Sequence, residues 1–414
     1  MRAIEIATAL TQYEGRGAGT DAERRAAAGL ARQVRSGRRR ATLETFWCRP
    51  NRPLAHVWHT LVAIIGSLLA VHHGVLGAAI VLAALLCIVT DSLTGHSPGR
   101  RLTHERASQN VVSRAPERPG AAPPADDRSP QIRLIVTANY DAGRTGLVYR
   151  NWLRAPVAGL KRVADPLTPG WLGWLVIAMV WLLIVAILRH GGATGTLIGI
   201  AQLLPTAALV IALALLLELA GAPFGPGAAD NGAGTAVAVA LVQALDVAPP
   251  RSLDVELVLQ GAGEAGMTGL TRHLRARRGE LRSIDTIVLG IAASGAGRPH
   301  WWVSDGPLVP LPSDRHLRGL AGALGTAQPH RGRGTSPALP ARVRGLHTLT
   351  IGCLDGRGLS PRSHQPGDTA AALDPQAIDA MLQFGLTLVD AIDADLARRK
   401  TSSTTGARPA QAAR

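Results

Sequence analysis

The chain has 414 residues, 47% of them hydrophobic, with 44 Lys and Arg against 29 Asp and Glu and a formal net charge of +15. That is more apolar material than one α/β core needs, and because the excess lies in blocks it points to a membrane protein. The basic charge is almost all Arg, Lys161 and Lys400 being the only lysines. No recognition motif accompanies it, so no nucleic-acid partner is expected.

Residues 1–55 read as a helix and a strand. Thr20-Asp21-Ala22-Glu23 has the pattern of a capping box, the Ala/Leu/Arg-rich run after it predicts a helix to about Arg35, and 41–47 predicts a strand. The N-terminus lacks the apolar core of a cleavable signal peptide. Residues 57–89 are nearly uncharged. One helix across all of them would be about 50 Å long against a hydrocarbon core of roughly 30 Å. A transmembrane hairpin over 56–90, turning at His72-His73-Gly74, fits better and makes that His pair an interfacial turn rather than a metal site.

Residues 91–130, rich in Arg, Pro, Ser and Gly, predict a flexible linker. In 131–170 a compact strand at 132–137 delivers Asn139 and Asp141 at its C-terminal end. Residues 171–220 predict a second hairpin, with spans at 171–188 and 197–220, a turn at Arg189-His190-Gly191-Gly192 and a kink at Pro205. Four spans return both pairs to the starting side. Arg49, Arg52, Arg100, Arg101, Arg154, Lys161 and Arg162 flank the globular side, and the far side offers little beyond Arg189. Basic residues stay inside, so the soluble domain and both termini are expected on the cytoplasmic face of a plasma membrane, with the lipid bilayer as partner.

Residues 221–400 hold the main core. The Asp230-Asn231-Gly232 turn leads to a helix at 235–245 and a strand at 253–259, and a Gly-rich turn then carries Glu264. A helix at 264–278, a strand at 285–291, a helix at 313–324, a loop at 326–345, a strand at 346–351 and a helix at 374–399 follow. A disordered tail is expected at 401–414. Strands alternating with helices imply an α/β sheet covered on both faces. Cys48, Cys87 and Cys353 are too few and scattered for a disulfide framework or a zinc ribbon.

Asp230-Asn231-Gly232-Ala233-Gly234 before a helix, and Gly261-Ala262-Gly263-Glu264-Ala265-Gly266 after a strand, form one distinctive pair. Ala138-Asn139-Tyr140-Asp141 and Ser363-His364-Gln365-Pro366-Gly367-Asp368 flank it. Together they resemble the co-catalytic zinc aminopeptidases, peptidase family M28, which includes the glutaminyl cyclases. The resemblance implies a zinc-exopeptidase-like mixed sheet, here interrupted by two helical hairpins. It also implies Asp230 at the metal-bridging position, Glu264 and His364 as further ligands of one metal, and Asp141 at the orienting position.

The same resemblance exposes gaps. Asn139 stands where the family has a ligating His, Gly290 where it has an Asp, and Gly263 where it has the general-base Glu. An amide is a poor zinc ligand and glycine offers none. What remains implies one Zn ion and either a one-metal hydrolase of peptides or aminoacyl compounds, or a non-catalytic homologue serving binding or scaffolding.

Two blander readings stand beside these. Asp230 and Glu264 are also ordinary acids near helix N-termini, and His364 an ordinary loop histidine. Gly261 to Gly266 also satisfies G-x-G-x-x-G. A dinucleotide site is disfavoured because this is not the first βα turn, a glutamate would face the pyrophosphate, and no acid ends the next strand.

Overall fold

The computed structural model describes residues 2–37, 39–114, 132–164 and 168–405. Helix α1 (Ala3–Thr11) and helix α2 (Asp21–Ser36) lead into β1 (Ala41–Cys48). Helices α3 (Arg52–Leu69) and α4 (Gly74–Thr94) form a hairpin, and a single turn α5 (Pro98–Arg101) precedes β2 (Arg106–Ser113). Next come β3 (Ile132–Asn139), α6 (Asn151–Ala164), and a second hairpin, α7 (Trp171–His190) and α8 (Thr196–Gly221). The remainder is α9 (Gly234–Val247), β4 (Leu253–Gln260), α10 (Thr268–Ala276), β5 (Thr286–Ile291), β6 (Arg298–Asp305), β7 (Leu311–Pro312), α11 (Arg315–Ala323), β8 (Gln328–Arg331), α12 (Leu339–Val343), β9 (His347–Leu354) and α13 (Pro375–Thr405).

The nine strands make one mixed sheet, ordered β1-β2-β4-β3-β5-β9-β6-β7, with β8 beside β6. Its centre, β4-β3-β5-β9, is parallel, and β2 joins it antiparallel. Parallel strands must be covered on both faces, and here they are. One face packs α1, α2, α9 and α13 through residues such as Leu30, Val237, Leu241, Ile378 and Leu388. The other packs α10 and α12 through Leu270, Leu274 and Ala341.

The two helical hairpins leave this sheet and return to it. In the register of β1 with β2, Cys48 lies opposite Arg106, so the chain exits through α3 and re-enters after α4 at neighbouring points of one edge. The four long helices pack together around Val57, Ile64, Val81, Ile88, Met179 and Leu209. Gly66 and Gly77 permit the close approach within the first hairpin: a Cβ at Gly77 would stand 2.5 Å from Ala70. Three of the four, α4, α7 and α8, are long and apolar enough to cross a membrane. Their outer faces expose large apolar side chains such as Leu86, Ile184, Leu197 and Ile211.

At the sheet-proximal end of the bundle, Arg100 donates to both carboxylate oxygens of Asp91 at 2.7 Å, and both side chains are buried. Ser97 Oγ donates to the same carboxylate at 2.8 Å, and Arg100 Nη1 reaches the Arg49 carbonyl at 3.1 Å. The end of α4 is thereby fastened to the root of α3. Removing one partner of such a pair leaves an uncompensated buried charge, so Asp91→Ala is expected to cost about 3–5 kcal/mol, read as a loss of thermal stability in detergent.

Some expected boundaries are corrected. The predicted linker at 91–130 contains the end of α4, α5 and β2; the Arg- and Ser-bearing run 106–113 is a sheet strand because it bridges β1 and β4. The rest of that linker, 115–130, lies outside the described residues. The predicted tail begins inside α13, which runs to Thr405, and 406–414 lie outside the described residues. The expected loop at 326–345 contains β8 and α12. The helix expected from Glu264 starts at Thr268. Finally, Thr20 caps α2 as its pattern predicts, but Glu23 turns inward instead of closing the box on the Thr20 amide.

Candidate metal-binding site

The site lies at the C-terminal ends of the parallel strands, where α/β sheets gather ligands. β3 ends at Asn139 and presents Asp141 just beyond. The Asp141 side chain is fully buried and points its carboxylate at the Gly-rich turn after β4. Its two oxygens accept from the amides of Gly263 at 2.8 Å and Glu264 at 3.0 Å. Burial pushes this carboxyl up to about 6, with the two amides and Arg16 opposing the shift. Asp141 therefore fixes the backbone that carries Glu264.

Glu23 braces the same turn from below, accepting from the Ala262 amide at 2.8 Å and the Gly19 amide at 2.7 Å. Its burial, with Asp141 nearby, pushes it up to about 8. Asp368 does for Asp230 what Asp141 does for Glu264: its oxygens accept from the amides of Ala229 and Asp230 at 2.8 and 3.1 Å. Ser363 Oγ donates to Asp230 Oδ2.

His364 completes the cluster. Its Nδ1 lies 3.1 Å from the Arg144 carbonyl, which only accepts, so the proton is on Nδ1. Nε2 then faces Glu264 Oε2 at 3.3 Å and Asp230 Oδ2 at 3.8 Å. The Tyr149 ring stacks on the imidazole with centroids 4.2 Å apart. Asp230, Glu264 and His364 side chains remain 17–21% exposed, so the cluster keeps an open side. Burial, then the charges of Asp230 and Asp141, push the Glu264 carboxyl well above the ordinary carboxylate range.

Nε2 and the facing Glu264 Oε2 need a positive charge or a proton between them, supplied by a proton on Nε2, by the proton of a neutral Glu264 carboxyl or by a metal ion, while Asp230 Oδ2 already accepts from Ser363. Ligands at ~2.0–2.1 Å around a tetrahedral zinc lie ~3.3 Å from each other, and the His364–Glu264 separation matches that. An imidazole whose other nitrogen donates to a backbone carbonyl is also the usual arrangement of a metal ligand. The His364–Asp230 separation, 3.8 Å, is longer, and among the described residues no group of three or more His, Cys, Asp or Glu side chains is placed so that it could hold a metal ion as it stands.

The positions read as degenerate fall into two kinds. Asn139 is in the cluster: its amide nitrogen donates to Glu264 Oε1 at 3.0 Å, and its oxygen accepts from Asn231 at 3.0 Å. Asn231 also bonds the Ile291 carbonyl. Both ends of Asn139 are thus committed to hydrogen bonds. Gly263 is beside it, and a Cβ there would stand 2.1 Å from Asn139 Cβ and 3.0 Å from Asp141 Oδ1. Gly290 is elsewhere. It lies opposite Thr137, two residues before Asn139, and a Cβ on it would meet Ala338 and Thr350.

The Gly263 contact makes a direct prediction. Gly263→Ala is expected to destabilise the protein by about 1–3 kcal/mol through overpacking. Asn139→Gly removes the obstructing Cβ but also its two hydrogen bonds, so the double variant is expected to lose less than the sum of the two single variants in thermal unfolding; additive losses would show that Asn139 is not the obstacle.

Several of these groups carry no short motif. Ser363, Asp368 and Asn231 sit within the quoted segments, but their roles depend on which loop they face. Tyr149, Arg144, Arg16 and Glu23 come from separate parts of the chain, and the inward turn of Glu23 was masked by its helix-capping pattern.

The mixed sheet thus gathers two carboxylates and an imidazole at its parallel strand ends. Residues 218–389 match the family model of peptidase family M28. The chain thus resembles that family in sequence over this segment, and in fold over nearly all its length. An aminopeptidase from Aneurinibacillus sp. strain AM-1 aligns over 94% of this chain and 92% of its own, with 11% identity and a TM-score of 0.51. BSAP, a zinc aminopeptidase from Bacillus subtilis, aligns over 94% of each, with 13% identity and a TM-score of 0.50. At such identities the likeness is one of fold. No curated protein matches the sequence.

Proposed function

We propose that the protein is a membrane-bound, aminopeptidase-like hydrolase that uses a single zinc ion held by Asp230, Glu264 and His364. The observation that carries this reading is the His364 ring, locked by the Arg144 carbonyl so that Nε2 faces both carboxylates. Three long apolar helices with exposed outer faces support the membrane placement. The zinc aminopeptidase among the structural neighbours supports the choice of metal.

A cation there would polarise an amide carbonyl and acidify a water. In the hydrolysis, the water oxygen joins the carbonyl carbon, the C–N bond breaks, and the two water protons end on the products, one on the leaving amine. Asp141, Asp368 and Ser363 hold the carboxylates in place throughout. No base stands at Gly263, so turnover lacks the roughly 10²–10⁴-fold that a positioned base supplies. The second-metal side is closed by the Asn139–Glu264 and Asn139–Asn231 hydrogen bonds, which favours one ion over two.

Release of amino acids from unblocked aminoacyl reporters tests the reading. Chelator-sensitive turnover that Glu264→Ala abolishes is the expected result. Absence of turnover across a broad reporter panel would favour the alternative, a binding or scaffolding protein on a peptidase fold. The orientation reading makes its own prediction: a reporter fused after Arg414 reads as cytoplasmic, and an external signal would reverse the topology.

A further inference from the structure

A cavity of about 380 Å³ opens onto Glu264 and His364, and its walls come from three parts of the molecule. Arg144, Tyr149, Glu264 and His364 form the side that belongs to the candidate site. Pro53 and Leu54 at the root of α3, with Leu219 and Phe224 at the exit of α8, form an apolar side, and Thr20, Asp21, His104 and Arg106 a polar one. The candidate site and the apolar helix bundle thus share one space.

The junction is held firmly. Asn51 caps α3, accepting from the Leu54 amide at 3.2 Å, and its Nδ2 donates to the Ala220 carbonyl at 3.1 Å, so the ends of α3 and α8 are tied together. Arg144 lies 4.5 Å over the Phe224 ring and donates to the Ala222 carbonyl, while its own carbonyl fixes His364. The apolar wall and the imidazole are therefore positioned by one residue.

This junction coincides with a ring of exposed indoles. Trp47 on β1 and Trp171 and Trp174 in the first turn of α7 are each more than half exposed. Trp171 packs against His56, one turn into α3, with ring centroids 5.5 Å apart. Exposed Trp at one end of an apolar bundle marks headgroup depth. The cavity sits where the polar site meets the apolar phase.

We infer that the cavity takes an amphiphile with an aminoacyl amide head and a long alkyl tail. The amino group and amide reach Glu264 and His364, which line the cavity. The tail passes Leu54, Leu219 and Phe224 towards the hydrocarbon. A soluble aminoacyl compound would leave the apolar wall unfilled, whereas a membrane-resident one arrives already oriented, its tail in lipid and its head at the site. The inference rests on the membrane placement and the site assignment proposed above.

Photo-crosslinking in lipid nanodiscs tests it without requiring metal or turnover. The probe is alanyl hexadecylamide with a diazirine on the alkyl chain. Adducts are expected within 50–54 and 219–224, competed by unmodified alanyl hexadecylamide but not by hexadecanol, which has the tail without the head. Leu219→Trp fills the apolar wall and is expected to lower the competed adduct about tenfold, a loss equivalent to one decade of affinity. Leu219→Ala keeps the space open and is expected to retain it, which separates blocked binding from misfolding. Adducts scattered over the lipid-facing sides of α4, α7 and α8 and insensitive to competition would overturn the inference. A competed adduct without bound metal or turnover would uphold it and remove the hydrolase reading. Turnover of soluble reporters without a competed adduct would do the reverse.

Discussion

Arg16→Met is expected to destabilise the protein by about 3–5 kcal/mol, the range for removing one partner from a buried charged network. Arg16 is 1% exposed, and its guanidinium donates to four backbone carbonyls: Leu10 at 3.0 Å, Tyr140 at 2.9 Å, Pro226 at 2.6 Å and Gly227 at 2.5 Å. Burial lowers its pKa to about 10, and the charges of Asp141 and Asp368 oppose that shift. One side chain thus ties the N-terminal segment to the β3 exit and to the loop that leads to Asp230. Met keeps length and apolar bulk but removes the charged donor from all four; the Leu10 and Gly227 carbonyls keep the amides of Tyr13 and Gly232, so the loss falls on the Tyr140 and Pro226 carbonyls, each worth ~1–3 kcal/mol when buried. Arg16→Lys should recover little, because one ammonium cannot span a planar fork of acceptors. Thermal unfolding in detergent gives the answer, and a loss below ~1 kcal/mol would mean that these loops are held by other contacts.

His364→Ala should reduce zinc affinity by more than ~10²-fold, exceeding the 10–100-fold typical of changes behind the ligands. The ring brings the only nitrogen donor of the cluster, and it is held from both sides, by the Arg144 carbonyl and by the stacked Tyr149. Tyr149→Leu removes only the stacking support, so its effect should fall within the smaller range. Competition against a chelator of known affinity separates the two variants. Equal, small effects would mean that His364 pairs with the carboxylates as a proton carrier and not as a ligand.

Much of this architecture was legible because local patterns and tertiary packing agree. The strands at β3 and β5 are largely apolar runs of the kind a covered sheet requires, while β4, β9 and the edge strand β1 keep enough apolar residues among Thr, Asp and Glu to be read as strands. The hairpin at His72 to Gly74 followed from length alone: 57–89 is too long for one span, and α3 ends at Leu69 while α4 begins at Gly74. β2 was not legible, since Arg106, Ser108, Gln109 and Asn110 give it a polar reading. Its role comes from neighbours: Ser108 meets Glu23, and Asn110 reaches the Gly269 carbonyl and the Gly261 amide.

The cluster of Asp230, Glu264 and His364 was readable as separate motifs, and the fold brings both carboxylates within 4 Å of the His364 ring nitrogen. Gly290 shows the limit of that reasoning. A glycine near the end of a strand was assigned to a metal position, but the pairing with Thr137 sets it two residues short of the Asn139 level. Strand register decides which side chain reaches the site, and a sequence pattern does not carry register across strands. A Cβ there would already stand 2.8 Å from the Ala338 backbone nitrogen.

Metal content per chain is the most direct test of the central claim. Protein purified in detergent without chelators and supplied with zinc should carry about one equivalent by elemental analysis, as one intact set of three protein ligands implies. Asp230→Ala should carry almost none. No zinc in the parent protein would contradict the account and leave a proton between His364 and Glu264 in place of the ion; two equivalents would contradict it from the other side, by showing that Asn139 does not close the second position.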